Sequence, residues 1–153
     1  MTSVLESPAP VTVRAPAKVN LELFVGPLRD DGFHALSTVY QAVGLHDDVT
    51  AALADDWGCS VRGRDADKVP TDESNLALRA ALALSEHTGG QEPVHLSIHK
   101  EIPVAGGMAG GSADAAAALV ACDALWGTAL PREELEEIAA GDGIDRAEAA
   151  QYL

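Results

Sequence analysis

Residues 100–127 read KEIPVAGGMAGGSADAAAALVACDALWG, and this stretch decides what fold the chain is expected to have. Two glycine pairs, Gly106-Gly107 and Gly110-Gly111, stand between a strand-like segment and a run of alanines. Alanine is the strongest helix former, so the run predicts a helix over about residues 113–126, and Gly127 is suited to end it. The stretch therefore predicts a strand, a glycine-rich loop and a long helix in succession.

The loop suits a phosphate group for two physical reasons. Glycine lets a ligand approach the backbone without a Cβ in the way, and the start of a helix presents unpaired N–H groups and a positive dipole end. Ser112 adds a hydroxyl that suits a phosphate or a magnesium ion. The loop is not a Walker A motif, and Ala105 and Met108 break the G-x-G-x-x-G spacing. On the residues alone, a phosphate cradle and a plain turn capped by Ser112 both remain open.

Outward from this stretch, the first half of the chain is strand-like and the second half helical. Helices are predicted over residues 74–90, with Ser74 as N-cap, and over residues 131–142, with Pro131 at the first helical position. Gly-Pro and Asp-Gly pairs predict turns within residues 26–36. Strands before helices indicate an α+β fold in which a sheet is covered by helices. Alternating or β-rich segments predict the strands at residues 11–25, 37–53, 59–65 and 94–102.

Composition limits the class of protein. The 153 residues are enough for one domain, and 47% hydrophobic and 22% charged residues are typical of a soluble globular chain. A formal net charge of −14 disfavours nucleic acid and anionic lipid as partners. The longest apolar run, residues 115–122, is too short to cross a bilayer, and no signal peptide is recognisable. We expect a cytoplasmic protein with a flexible tail at residues 1–10.

Four motifs carry a resemblance to a known family. The segment IPVAGGMAGGSADAAAAL resembles the phosphate-binding motif of the GHMP kinases, and more narrowly that of the kinases that act on 4-diphosphocytidyl-2-C-methyl-D-erythritol. Ala113 replaces the second serine that is usual there, and Phe33 stands where tyrosine is usual. Three other segments resemble the family's remaining motifs in the expected order: APAKVNLELFV (15–25), RDDGFHALSTVYQAVGLHDDV (29–49) and ESNLALRAA (73–81).

The resemblance implies a fold, a reaction and two cofactors. Residues 11–153 would form the N-terminal domain of a GHMP kinase, with a ribosomal-protein-like β-α-β fold. ATP and Mg²⁺ would be the cofactors, and the 2-hydroxyl of 4-diphosphocytidyl-2-C-methyl-D-erythritol would be phosphorylated in the non-mevalonate isoprenoid pathway. Family members continue into a C-terminal domain, which we expect this chain to lack. We therefore expect exposed apolar surface, and weak or absent phosphate transfer by the isolated chain.

The resemblance also implies roles for individual residues. Lys18 would stabilise the transferred phosphoryl group, and Asp145, which keeps the family's Gly-x-Asp spacing, is the candidate base. Asp145 is equally well interpreted as a charged residue in a divergent tail. Asn20, Phe33 and His34 would bind the substrate, and Ser112 would also contact the metal ion. Residues implied in ATP binding are Asn75, Lys100, Pro103, Gly106, Gly107, Gly110, Gly111 and Ser112.

Two other functions remain open. The first alternative is another GHMP kinase, acting on homoserine, mevalonate or a sugar, and the second is a non-catalytic nucleotide-binding domain. The Asp-Gly-Phe-His segment, residues 31–34, argues against the first. The altered Gly-x-Asp region favours the second.

Overall fold

The computed structural model describes residues 7–144 and 152–153. Four strands and three helices alternate in a mixed α+β order, which confirms the predicted fold class. None of the helices in these residues is long and apolar enough to cross a membrane. In chain order the elements are β1 (Val11–Leu28), β2 (His34–Leu53), β3 (Gly58–Gly63), α1 (Leu76–His87), β4 (Val94–Lys100), α2 (Gly110–Trp126) and α3 (Arg132–Gly141).

The four strands form one sheet in the order β1-β2-β4-β3. β1 pairs antiparallel with β2, and β2 pairs antiparallel with β4. β3 runs parallel to β4, and α1 lies in the connection between them. These three elements therefore form one β-α-β unit. A short 3₁₀ turn at Ala66–Lys68 follows β3.

The core lies between the sheet and the helices. In β4, Val94, Leu96 and Ile98 are buried and alternate with more accessible residues, as the period-two pattern predicts. Helix α2 contacts both β1 and β2, and also packs against α1. Nearly every alanine of α2 is buried, and such small side chains let the helix lie close to the sheet.

The β1–β2 hairpin differs from its predicted pattern. Leu21 and Leu23 alternate with polar residues along β1, but both are exposed, and so are Phe24 and Val25. The pairing register shifts near Asn20, and beyond that point the hairpin has apolar side chains exposed on both faces. A two-stranded ribbon of this kind has no second layer to bury its side chains, so the expected exposed apolar surface is found here.

Helix and turn boundaries also differ in detail from the predictions. α2 begins at Gly110, three residues before the expected start, because its first turn uses the second glycine pair. Pro131 is the N-cap of α3 and not its first residue, with an extended backbone. Gly26 and Pro27 continue β1, and the turn comes later, at Arg29–Phe33. Gly127 ends α2 in the left-handed conformation, as predicted.

The cap of α1 is Asn75, and the prediction of Ser74 is wrong. Asn75 Oδ1 accepts hydrogen bonds from the backbone N–H of Ala77 at 2.9 Å and of Leu78 at 3.3 Å. Its Nδ2 donates to the carbonyl of Pro70 at 2.8 Å. Ser74 Oγ instead donates to Asp72 Oδ1 in the preceding turn. One residue, Asn75, therefore ties the loop before α1 to the helix.

Asn75→Ala is expected to lower the free energy of unfolding by about 1–2 kcal/mol, because it removes the cap and leaves buried donors without partners. Urea denaturation of the chain measures the change. Ser74→Ala is the matched control and is expected to cost less, since Ser74 bonds only within an exposed turn. Equal losses in the two variants would show that Asn75 is not the functional cap.

Candidate functional site

The glycine-rich loop joins β4 to α2 in a strained backbone conformation. Gly107 has φ of 72°, and two alanines share the left-handed region, with φ of 58° at Ala105 and 56° at Ala109. Left-handed backbone costs a residue with a Cβ roughly 1–2 kcal/mol. Such strain is concentrated at ligand-binding and catalytic sites in proteins. The loop thus keeps a shape that its own sequence does not favour.

The second glycine pair also permits close packing between secondary-structure elements. Gly110 and Gly111 are helical, and their missing side chains permit close packing. A Cβ on Gly110 would lie 3.1 Å from Ile102 Cγ2, and a Cβ on Gly111 would lie 3.3 Å from Leu76 Cδ1. Of the four loop glycines, Gly107 is the one with a positive φ. The bare backbone therefore brings the start of α2 against Ile102, just after β4, and against the first residue of α1.

A cavity of about 410 Å³ lies beside this loop. That volume is within the range of sites that hold small molecules. The start of α2 borders it, so the first N–H groups of a helix and the positive dipole end are directed toward this region. Its described lining residues are Lys68, Val69, Pro70, Ser74, Asn75, Leu76, Ala77, Lys100, Pro103, Val104, Ala105, Gly106, Gly107, Met108, Ala109, Gly110, Gly111 and Asp114.

Lys100 is held in a buried cluster of three charges. Its Nζ lies 2.6 Å from Asp47 Oδ2 and 2.6 Å from Asp114 Oδ2. The other oxygen of Asp47 accepts the backbone N–H of Glu101 at 2.6 Å and of Ile102 at 2.9 Å. Asp47 on β2 therefore fixes both the Lys100 ammonium and the first residues of the loop. Lys100 lines the cavity, but its charge is already balanced by the Asp47 carboxylate.

The pKa values of this cluster follow from burial and from its charges. Burial raises the pKa of Asp114 to about 8, with Lys100 opposing the shift and the Asp47 carboxylate adding to it. Burial alone would lower the pKa of Lys100, but Asp114 and Asp47 outweigh it and raise that pKa. Lys100 therefore stays charged. Asp114 Oδ1 is buried and has no hydrogen-bond partner among the described residues.

Lys18 and Asn20 lie in β1 and do not line this cavity. Lys18 is buried, and its Nζ donates to Asn20 Oδ1 at 3.2 Å, so the two share one side of the strand. The Lys18 ammonium also lies 5.1 Å from the centre of the Tyr40 ring on β2, a cation–π contact. Lys18 is therefore enclosed by its neighbours and is not in contact with bulk water as most surface lysines are.

Phe33 and His34 lie at the tip of the β1–β2 hairpin, outside the cavity. The Phe33 side chain is 68% exposed, so its ring is open to a ligand or a partner. His34 Nδ1 lies 2.8 Å from the carbonyl of Gly26. Since a carbonyl only accepts, Nδ1 donates and carries the proton, and Nε2 of the neutral ring is an acceptor.

The remaining predicted residues divide between the cavity and other positions. Asn75, Pro103 and all four loop glycines line the cavity. Ser112 is half-buried in the first turn of α2 but is not among the described lining residues. Asp145 lies outside the residues that the structure describes.

Three charged residues of this region were missed by the sequence analysis. Asp47 lies two residues before the buried Val49, in register with the buried positions of β2, and this was a usable signal. Asp114 lies near the start of α2, and only the fold shows that it is a partner of Lys100. Lys68 had no sequence signal, because only the path of the chain after β3 brings it to the cavity.

Comparison with known proteins gives the same family in sequence and in structure. The model of the GHMP kinases N terminal domain matches residues 75–148. The protein of Salinispora tropica named 4-diphosphocytidyl-2-C-methyl-D-erythritol kinase is 59% identical over 136 residues, which are 89% of this chain and 43% of the relative. The protein of the same name from Streptomyces coelicolor is 60% identical over 136 residues, 88% of this chain and 46% of the relative. The chain thus spans less than half the length of these relatives.

A solved structure of 4-(cytidine 5'-diphospho)-2C-methyl-D-erythritol kinase matches with a TM-score of 0.72 and 33% identity, over 92% of this chain and 49% of that one. A homoserine kinase structure from Cytophaga hutchinsonii matches with a TM-score of 0.66 at 20% identity, over 97% of this chain and 46% of that one. The second likeness extends to the fold alone. The relatives with high sequence identity share one name, whereas the fold is shared more widely.

Proposed function

We propose that this chain, which is a GHMP kinase N-terminal domain in fold and motifs, binds ATP in the cavity beside the glycine-rich loop and phosphorylates 4-diphosphocytidyl-2-C-methyl-D-erythritol. The observation that carries the proposal is the position of the cavity against the first turn of α2. Relatives at 55–60% identity over about 90% of the chain are named for that substrate, which supports the choice of acceptor.

The lining of the cavity suits the parts of a nucleotide. Backbone N–H groups of the loop and of the start of α2 would donate to phosphate oxygens, which is a common anion site in proteins. Val69, Leu76 and Met108 offer apolar contacts for a base or ribose face. Asn75 already uses Oδ1 and one hydrogen of Nδ2 within the protein, so it shapes the wall of the cavity more than it binds ligand.

A magnesium ion bound with the nucleotide would find few protein ligands. Among the residues that the structure describes, no group of three or more His, Cys, Asp or Glu could hold a metal ion. Mg²⁺ in kinases is held largely by phosphates and water with one or two protein oxygens, so such a sparse site fits. Asp114 Oδ1, buried without a partner, and the Ser112 hydroxyl are the oxygens we propose for it. Bound Mg²⁺ supplies positive charge to the phosphate oxygens.

The acceptor substrate would lie toward the hairpin, away from the base of the nucleotide. At the tip, the open Phe33 ring can stack on a cytosine, and His34 Nε2 can accept from its exocyclic amine. Lys18, held by Asn20 and Tyr40, would place a fixed positive charge near the transferred phosphoryl group. We propose Asp145 as the base that accepts the proton of the 2-hydroxyl.

Phosphoryl transfer needs little covalent help from the protein. The domain would hold the γ-phosphoryl and the acceptor oxygen in line, and it would balance the charge that develops on the phosphoryl oxygens. The backbone amides of the loop and the Lys18 ammonium would balance that charge. Fixed donors are effective here because they do not reorganise during the reaction.

The test is a binding and transfer assay with the 153-residue chain. Calorimetry with a non-hydrolysable ATP analogue should show saturable binding. Radiolabelled ATP should then label 4-diphosphocytidyl-2-C-methyl-D-erythritol in preference to mevalonate and homoserine, with a radiochemical readout that detects slow transfer. Absence of nucleotide binding would contradict the proposal, and so would preference for another acceptor. Binding without any transfer would favour the non-catalytic alternative.

A further inference from the structure

The cavity needs a source of positive charge if it is to hold a triphosphate. Among the described residues that line it, two side chains are cationic, Lys68 and Lys100. Lys100 is 3% exposed and lies between two carboxylates at 2.6 Å each. A phosphate that approached Lys100 would also approach the Asp47 carboxylate, so the attraction would be largely cancelled. Lys100 is therefore a poor phosphate ligand despite its position.

Lys68 differs from Lys100 in both exposure and pairing. It ends the 3₁₀ turn after β3, and its side chain is 59% exposed. Its Nζ lies 2.7 Å from Asp65 Oδ1, and this hydrogen bond raises the pKa of Lys68, so the ammonium is charged. An exposed ion pair of this kind is weak and screened by water. A ligand phosphate can therefore replace Asp65 as the partner of Lys68 at little cost.

Asp65 also places Lys68 relative to the glycine-rich loop. Asp65 has a left-handed backbone with φ of 53°, and its Oδ2 accepts the backbone N–H of Val104 at 3.3 Å. Val104 belongs to the loop and lines the same cavity. One carboxylate thus contacts the loop with one oxygen and Lys68 with the other. The Lys68 ammonium is held beside the loop before any ligand arrives.

We propose that Lys68 is a nucleotide-binding residue whose ammonium donates to a phosphate oxygen of the nucleoside triphosphate held by the glycine-rich loop. This inference rests on the proposed function, since it needs a nucleotide in the cavity. It assigns the phosphate-binding cation to the segment between β3 and α1, and it leaves Lys100 as a positioning residue for the start of the loop.

Lys68→Met tests the assignment, with Arg132→Met as the matched control. Arg132 forms an exposed ion pair with Glu136 on α3 and does not line the cavity, so its loss changes the net charge equally. Calorimetry measures the dissociation constants of a non-hydrolysable ATP analogue and of adenosine at low salt. We expect Lys68→Met to bind the analogue about tenfold more weakly and adenosine unchanged. Arg132→Met should match the original chain for both ligands, and Lys68→Arg should keep most of the affinity for the analogue.

Two results would overturn the role of Lys68 while the proposed function stands. One is unchanged affinity of Lys68→Met for the analogue, and the other is an equal loss of affinity for adenosine, which would place the contact on the nucleoside. If the original chain bound neither ligand, the proposed function itself would fail, and the assignment of Lys68 would fail with it. Circular dichroism of each variant establishes that it is folded.

Discussion

Lys100→Met is expected to lower the free energy of unfolding by about 3–5 kcal/mol, because removal of one partner from a buried charge cluster leaves the others uncompensated. Asp47 and Asp114 would then face each other in the core without the ammonium that each now contacts at 2.6 Å. A domain of this size has a free energy of unfolding of roughly 5–15 kcal/mol in total, so a large part of it would be lost. Urea denaturation at neutral pH measures the change.

The control for this result is the neighbouring surface pair. Arg14 bonds Asp48, one residue along β2 from Asp47, but the Arg14 side chain is 65% exposed. Arg14→Met should leave the free energy of unfolding nearly unchanged. Adding Asp114→Asn to Lys100→Met removes one of the two stranded carboxylates and should recover part of the loss, as a double-mutant cycle would show. A small effect of Lys100→Met alone would mean that the cluster is not a structural element.

Gly107→Val is expected to weaken binding of an ATP analogue by at least about 100-fold. The position has φ of 72°, which a β-branched residue adopts only with strain. A Cβ there meets no protein atom within 4 Å, so the added side chain is not excluded by the fold. It would instead occupy space along the cavity, where the phosphates are proposed to lie. Calorimetry of the folded variant measures the loss.

Gly89→Val is the control that distinguishes obstruction of the cavity from strain in a left-handed backbone. Gly89 has φ of 85° and equally open surroundings, but it lies between α1 and β4 and does not line the cavity. Both variants should lose roughly 1–2 kcal/mol of stability from the left-handed backbone. If Gly89→Val lost nucleotide affinity as severely as Gly107→Val, the effect would come from general destabilisation and not from the loop.

The sequence predicted those features that depend on local pattern. The alanine run from Ala113 gave the buried helix, and the alternation of Val94, Leu96 and Ile98 gave the inner face of a strand. The glycine pairs predicted a loop, but they did not predict that individual glycines have different structural roles within it. Gly107 provides the left-handed turn, whereas Gly110 provides close packing against Ile102, and only the three-dimensional neighbours distinguish the two purposes.

Features that depend on distant pairing were not predictable from one sequence. Asp47 meets Lys100 because β2 pairs with β4, 53 positions later in the chain. Lys68 reaches the cavity because a short turn after β3 brings it back toward the loop. The apolar residues of the hairpin show the limit of local pattern in another way. Alternation such as that of Leu21 and Leu23 is typical of a strand with one buried face, yet both side chains are exposed.

The central claim is that the glycine-rich loop and the first turn of α2 hold the triphosphate of a nucleotide. A crystal structure of the chain with Mg²⁺ and a non-hydrolysable ATP analogue tests it directly. The account predicts phosphate oxygens within about 3 Å of backbone nitrogens between Ala105 and Ser112. Nucleotide density at another surface, or a cavity that stays empty at saturating analogue, would contradict it.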